Sequence, residues 1–265
     1  MHEILERLAH GKITVDDAEK ALRVDLVEKV GGVARLDISR SMRRGIPEIV
    51  LAEGKSDVDL AAICRSMLVR NRRVIVSRVS DSQLSKLKKT FSTKYRIQES
   101  VHSSCIVIKQ RNSVIKETGG RIGILTAGTV DLAIAEEAAM IAGEMGCLTF
   151  TEVDAGVAGI HRLVEPLASL VKHEVDCLII VAGREGALPT VVAGLVDTPI
   201  IAVPTSSGYG YGGKGTAALM AMLQACSLGL AVVNIDSGIA AGVVASLIAN
   251  RVAKARAQTK RSISR

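Results

Sequence analysis

The chain has 265 residues, enough for one large domain or a small one beside a medium one. Hydrophobic residues make up 48% but aromatics only 2%, with no tryptophan, so the core is built from Ala, Val, Leu and Ile, and the aromatic platforms of a nucleic-acid module are missing. The formal net charge is +7, yet six Lys or Arg and no acid fall in residues 251–265, so nearly the whole excess reads as a basic, frayed tail rather than a binding surface.

The five cysteines (Cys64, Cys105, Cys147, Cys177 and Cys226) are odd in number and widely spaced, which fits neither a zinc site nor a disulfide framework and points to a reducing compartment. The amphipathic, charged N-terminus is not a signal peptide, and apolar runs of spanning length are broken by Gly or polar residues. The expectation is a cytoplasmic protein without membrane or nucleic-acid partners.

Ile4, Leu5 and Leu8 predict a short helix stopped at Gly11, and Thr14 caps a second. Strands are predicted at 34–38, at 46–51, at 73–77 and at 100–109, with a helix over 58–68. These make a small α+β domain over 1–118, ending at the Gly119-Gly120 linker. From 119 to 257 the rhythm is strand, loop, helix, repeated about five times. Strands are predicted at 122–126, 148–153, 177–181, 199–203 and 230–235, and helices at 132–145, 163–170, 188–195, 216–225 and 240–257, with the tail at 258–265. That pattern predicts a three-layer α/β/α, doubly wound parallel sheet with ligands at the carboxyl ends of its strands.

The loops after those strands carry the candidate chemistry. Ala127-Gly128-Thr129 can offer N–H groups and a hydroxyl to phosphate, although a helix cap explains Thr129 as well and Asp131 can simply complement the helix dipole. Gly208, Gly213 and Lys214 have P-loop spacing, but Gly215 stands where a P-loop needs Ser or Thr; the loop still suits a phosphate-bearing ligand with Lys214 as counter-charge. Asp154 and Glu185 sit at strand ends, where carboxylates can divide acid and base roles or hold a cation. His161 reads as a titrating or a structural histidine. Cys226, near the C-terminal end of a helix whose dipole disfavours a thiolate, reads from the residues alone as a small buried thiol.

These stretches, in this order, resemble the AIR carboxylase superfamily: Ala127-Gly-Thr-Val-Asp131, Gly159-Ile-His161-Arg162 and Ala182-Gly-Arg-Glu-Gly-Ala-Leu-Pro189. Where its purine enzymes carry a catalytic His before Leu-Pro, this chain has Ala187. Nearly the whole chain is similar to the pyridinium-3,5-biscarboxylic acid mononucleotide synthase (LarB) family. Besides the stretches above, that resemblance rests on Arg44-Gly-Ile-Pro-Glu48, Glu53-Gly-Lys55, Val203-Pro-Thr-Ser-Ser-Gly-Tyr-Gly210, Met222-Leu-Gln-Ala-Cys226 and Val233-Asn-Ile-Asp-Ser-Gly238.

The resemblance implies a flavodoxin-like sheet, an octamer, and carboxylation of nicotinic acid adenine dinucleotide at ring C5 with hydrolysis of its phosphoanhydride. CO2 or bicarbonate would be the co-substrate and magnesium a cofactor. It makes Cys226 the nucleophile and Glu185 the base, and assigns substrate contacts to Thr126, Gly128, Thr129, Asp131, His161, Arg162, Gly183, Arg184, Ser206, Ser207, Gly208, Lys214, Arg44 and Glu48, with Asp154 at a metal. Two other readings stay open: a purine-type carboxylase or mutase, which Ala187 argues against, and a non-catalytic nucleotide-sensing module.

Overall fold

The computed structural model describes residues 2–18, 28–30, 34–37, 40 and 44–263. The chain divides into two compact units, Met1–Glu99 with Ser104–Ser113 and Ser100–Ser103 with Val114–Arg265.

The first unit holds α1 (His2–Ala9), the antiparallel pair β1 (Glu28–Val30) and β2 (Ala34–Leu36), and a four-stranded mixed sheet. In that sheet β3 (Ile49–Leu51) lies parallel to β4 (Arg73–Ser77), and β6 (Ile106–Gln110) pairs antiparallel with both β4 and β5 (Tyr95–Glu99). The parallel pair needs a crossover, supplied by α2 (Asp57–Asn71). Ser56 caps α2 by accepting the Asp59 N–H, and Leu60, Ile63, Met67 and Leu68 pack on Val74, Val76, Ile106 and Ile108.

β1, β5 and α3 (Asp81–Phe91) occupy stretches in which the sequence reading predicts no element, and β6 is shorter than expected. The buried stripe of α3 is only Leu87 and Phe91 among lysines and serines, and a Ser80–Gln83 capping box marks its start. The strand expected from Ser100 starts only at Ile106; residues 101–104 bend, with Val101 84% exposed. Thr14 accepts the Asp17 N–H at 3.1 Å and opens a helical turn over 15–18; the rest of that expected helix, and Ile38 of the strand expected over 34–38, lie outside the described residues.

The second unit is a five-stranded, all-parallel sheet of β7 (Arg121–Thr126), β8 (Leu148–Glu152), β9 (Cys177–Ala182), β10 (Ile200–Pro204) and β11 (Leu230–Val232), in the order β11-β10-β9-β7-β8. β9 and β10 are buried along their whole length, as strands covered on both faces must be. α4 (Leu132–Glu144) and α8 (Gly238–Ile263) cover one face, where Ala135, Ala138 and Ala142 meet Ala241, Ala245 and Ala249 over Ile122, Ile124, Ile179 and Val181. α5 (Val164–Lys172), α6 (Leu188–Ala193) and α7 (Thr216–Leu223) cover the other with Leu167, Leu170, Leu188, Val192, Ala218 and Met222. The expected three-layer α/β/α sheet is therefore present.

The two helices on the first face approach at backbone distance. A Cβ on Gly242 of α8 would lie 2.6 Å from the Ala138 carbonyl oxygen of α4. By length and composition Gly238–Thr259 could cross a bilayer, but Ala241, Ala245 and Ala249 are fully buried against the sheet, so α8 is a core helix. It also runs on to Ile263, so the segment expected to fray from 258 continues the helix.

The strand order reverses at β7: the chain leaves it toward β8 and then crosses back to β9 on its other side. In an open parallel sheet this switch point leaves a crevice outside the carboxyl ends of the two central strands. The loops after β7 and β9 are those that bear Gly128–Asp131 and Gly183–Glu185.

Candidate active site

Asp131 is the hub of that crevice. It lies in a turn of 3-10 helix, Thr129–Asp131, between β7 and α4, and is 3% exposed. Its Oδ1 accepts from the Thr205 hydroxyl at 2.8 Å and the Ser207 hydroxyl at 3.2 Å, and its Oδ2 accepts the Gly128 N–H at 3.1 Å. A residue expected to face substrate or to complement a helix dipole instead turns inward and ties the loop after β7 to the loop after β10, across the end of β9.

Only glycine at 183 permits that tie. A Cβ there would fall 2.5 Å from the Ser207 Oγ and 2.7 Å from the Thr205 Oγ1. Burial pushes the Asp131 carboxyl up from its ordinary range. The hydrogen bonds from Thr205, Gly128 and Ser207 oppose that, and the charge of Asp236 adds to it. Asp236, beyond β11, accepts the Ser206 N–H at 2.8 Å and anchors the other side of the loop after β10.

Backbone strain gathers at the same edge. Of the seven non-glycine residues with positive φ among those described, Asp154 (61°), Arg184 (52°), Lys214 (59°) and Asp236 (56°) all lie in loops after the strands of this one sheet. A left-handed conformation disfavours L side chains, and these four gather at the edge where open parallel sheets bind ligands. The Arg184 guanidinium lies over the Tyr209 ring, 4.4 Å from its centroid.

The remaining expected residues fall into place around this hub. Thr126 is buried, and its hydroxyl accepts the Asp154 N–H at 3.2 Å, so it acts on the loop after β8 rather than facing solvent. Asp154 is exposed and paired with Arg162 at 3.1 Å, and Arg162 also donates to the Gly156 carbonyl at 3.4 Å. Thr129, His161, Arg184, Glu185, Ser206, Ser207 and Lys214 are exposed, and Gly208 is half-buried. Arg44 and Glu48 belong to the first unit, where Arg44 is exposed and Glu48 pairs with Arg40 at 3.1 Å. Thr205, Asp236 and Tyr209 lie in stretches that carry the resemblance but were given no place among the site residues. The signal for Asp236 was its place after the fifth strand, and for Thr205 the Pro-Thr-Ser-Ser run after the fourth.

No hydrogen bond or ion pair among the described residues ties Cys226 to Asp131, Glu185 or the loop after β10. This cysteine follows α7, on the segment that leads back to the start of β11, where the Ser227 hydroxyl donates to the Thr190 carbonyl at 2.9 Å and Gly229 accepts from Ile200, the first residue of β10. The eight residues of α7 put about 12 Å of helix between the glycine-rich loop and this segment. Cys226 is also exposed, not a small buried thiol. The other four cysteines are buried, and desolvation raises the thiols of Cys64 and Cys177 to about 12, so neither supplies a thiolate.

Asp154 is the residue that the resemblance places at a metal. Among the described residues no three His, Cys, Asp or Glu side chains converge, and the Asp154 carboxylate is engaged by Arg162. A cavity of about 530 Å³ between α2 and α3, lined by Val58, Leu60, Lys86 and Leu87, contains none of the expected site residues.

Known proteins share this organisation. Residues 27–110 match the family model of the LarB/PurE-like N-terminal domain, and residues 121–264 match that of AIR carboxylase. An uncharacterized protein of Methanocaldococcus jannaschii is 38% identical over 244 residues, covering 91% of this chain and 94% of its own. The N5-carboxyaminoimidazole ribonucleotide mutase of the same organism is 36% identical over 119 residues, 44% of this chain and 71% of its own.

Proposed function

Because this chain belongs to the LarB family, within the AIR carboxylase superfamily, we propose that it carboxylates nicotinic acid adenine dinucleotide at ring C5 and hydrolyses its phosphoanhydride. The products are AMP and pyridinium-3,5-biscarboxylic acid mononucleotide, the first step toward a nickel-pincer cofactor, in a cytoplasmic setting. The observation that carries the reading is the loop Gly183-Arg184-Glu185 at the sheet's switch point: an exposed carboxylate beside a glycine-lined crevice, with Ala187 where the purine enzymes place their histidine.

A pyridinium ring is electron-poor and does not attack CO2. Addition of the Cys226 thiolate at C6 forms an S–C bond and pushes the ring electrons into a dienamine, which makes C5 nucleophilic. C5 then bonds to CO2, Glu185 removes the C5 proton, and the returning electrons expel the thiolate and restore aromaticity. Water attacks phosphorus and AMP departs. Ser206, Ser207, Gly208 and Lys214, with the N–H groups of Gly128 and Thr129, suit the phosphates. Asp154 would hold magnesium when it is bound, and the ion would supply charge neutralisation for the phosphoanhydride.

We propose that the protein is a homo-oligomer, an octamer by family, in which a second copy of the chain supplies Cys226. Met220, Leu223 and Leu228, 62%, 66% and 90% exposed, surround the Cys226 segment and support burial of that surface against a partner. The likeness to the mutase favours a purine-type reaction as the second reading, and Ala187 opposes it.

The test is incubation with nicotinic acid adenine dinucleotide, bicarbonate and magnesium, followed by mass spectrometry. AMP and a dicarboxylated mononucleotide are expected, and neither from Cys226→Ala. Absence of product removes the reading. An undiminished rate in Cys226→Ala removes the nucleophile, and turnover of an aminoimidazole ribonucleotide instead establishes the second reading.

A further inference from the structure

Aromatic residues are scarce in this chain, with three tyrosines and two phenylalanines in all. Two of the three tyrosines, Tyr209 and Tyr211, stand in the loop after β10, 77% and 111% exposed among its glycines. A tyrosine held in water by a mobile type of sequence contributes nothing to a core, so its value lies in what its ring face can receive. One face of Tyr209 already has an occupant: the planar, cationic guanidinium of Arg184, 4.4 Å from the centroid. The loop is also held close to that arginine, since a Cβ on Gly208 would lie 3.1 Å from the Arg184 backbone nitrogen. Glu185 follows directly in the chain.

From this arrangement we infer that the Tyr209 face is the platform for the cationic ring of a pyridinium nucleotide, which takes the place of the Arg184 guanidinium, and that the displaced Arg184 pairs with the ring's 3-carboxylate. The inference rests on the reading that the substrate is a pyridinium dinucleotide and names the residues that select it. A guanidinium and a pyridinium are both flat delocalised cations, and the negative face of the tyrosine π-system attracts either. A neutral dihydropyridine of the same shape loses that attraction.

The exchange costs the protein one cation–π contact and gains another. It also frees a forked donor whose geometry matches a carboxylate in two parallel hydrogen bonds. Nicotinate is thereby distinguished from nicotinamide, whose neutral amide offers a single acceptor oxygen. Tyr209 covers one face of the ring and leaves the opposite face for the attacking thiolate, while Glu185, next to Arg184, stands on the side where a ring proton has to be removed.

The test is calorimetric binding to the full-length protein without bicarbonate, using nicotinic acid adenine dinucleotide, its nicotinamide counterpart in oxidised and reduced forms, and AMP. Tyr209→Phe keeps the ring face and should bind the nicotinate dinucleotide as the parent does. Tyr209→Leu keeps bulk without the face and should weaken that binding roughly fivefold to thirtyfold, with AMP affinity unchanged. The parent should bind the oxidised nicotinamide dinucleotide more tightly than the reduced one, a difference lost in Tyr209→Leu. Arg184→Gln should reduce the preference for nicotinate over nicotinamide.

Equal binding by Tyr209→Leu and the parent overturns the inference. So does an equal loss of AMP binding, which assigns the platform to adenine. If the parent binds neither dinucleotide, the functional reading itself falls, and this inference with it.

Discussion

Asp131 and Glu136 lie five positions apart and are driven in opposite directions by their surroundings. Burial raises the Asp131 carboxyl despite three hydrogen bonds, so its charged form is held at a cost above the folded pKa, and that cost is relieved as the pH falls. At Glu136 burial also pushes upward. It is outweighed by hydrogen bonds from the Ser100 hydroxyl, the His102 ring and the His102 N–H (2.8 Å), and by the His102 charge, which together bring the carboxyl from 4.5 down to about 2.

A lowered carboxylate pKa adds stability above the unfolded value of 4.5, and this is lost as the pH falls from there to about 2. Glu136→Gln should therefore cost about 1 kcal/mol at neutral pH, since water screens this partly exposed pair, with the gap to the parent closing through that window in denaturant titrations. A gap independent of pH contradicts the assignment. Asp131 has the more consequential place: the sequence offered it as a complement to the helix dipole and the resemblance as a substrate contact, but its inward aim toward Thr205 and Ser207 was not legible, because those partners lie more than seventy positions away.

At the scale of elements, the parallel sheet was legible because strands covered on both faces read as continuous apolar runs, as Cys177–Ala182 and Ile200–Pro204 do. The loops after them were legible as loops at the carboxyl ends of the strands, where the sheet has its crevice. α3 was not, since its buried face is one thin stripe, and β5 was not, because Tyr95–Glu99 alternates without a buried residue at a sheet edge. The small size of position 183 was visible as a glycine in a loop, but its reason is tertiary: two hydroxyls converge on the space a Cβ would fill. Gly183→Ala should push Ser207 and Thr205 off Asp131, costing about 1–3 kcal/mol of stability and a larger share of dinucleotide affinity. Thermal denaturation and calorimetry on one preparation separate the two effects. Unchanged affinity with lowered stability would make the tie purely structural.

For the molecule as a whole, the +7 charge has a local origin that the fold partly modifies. The basic C-terminal stretch is the end of α8, and Arg256 within it is engaged by Asp176. The assembly matters more. Cys226 lies beyond the far end of α7, whose near end adjoins the glycine-rich loop, and we propose that thiol and base come from different copies. The most direct measurement is complementation. Cys226→Ala and Glu185→Gln are each expected to form no carboxylated product. When the two chains are co-expressed and purified as mixed oligomers, sites combining an intact thiol with an intact carboxylate should restore about one quarter of the parental rate, as random pairing in a symmetric assembly predicts. Mixed oligomers as inactive as either variant alone would contradict the account.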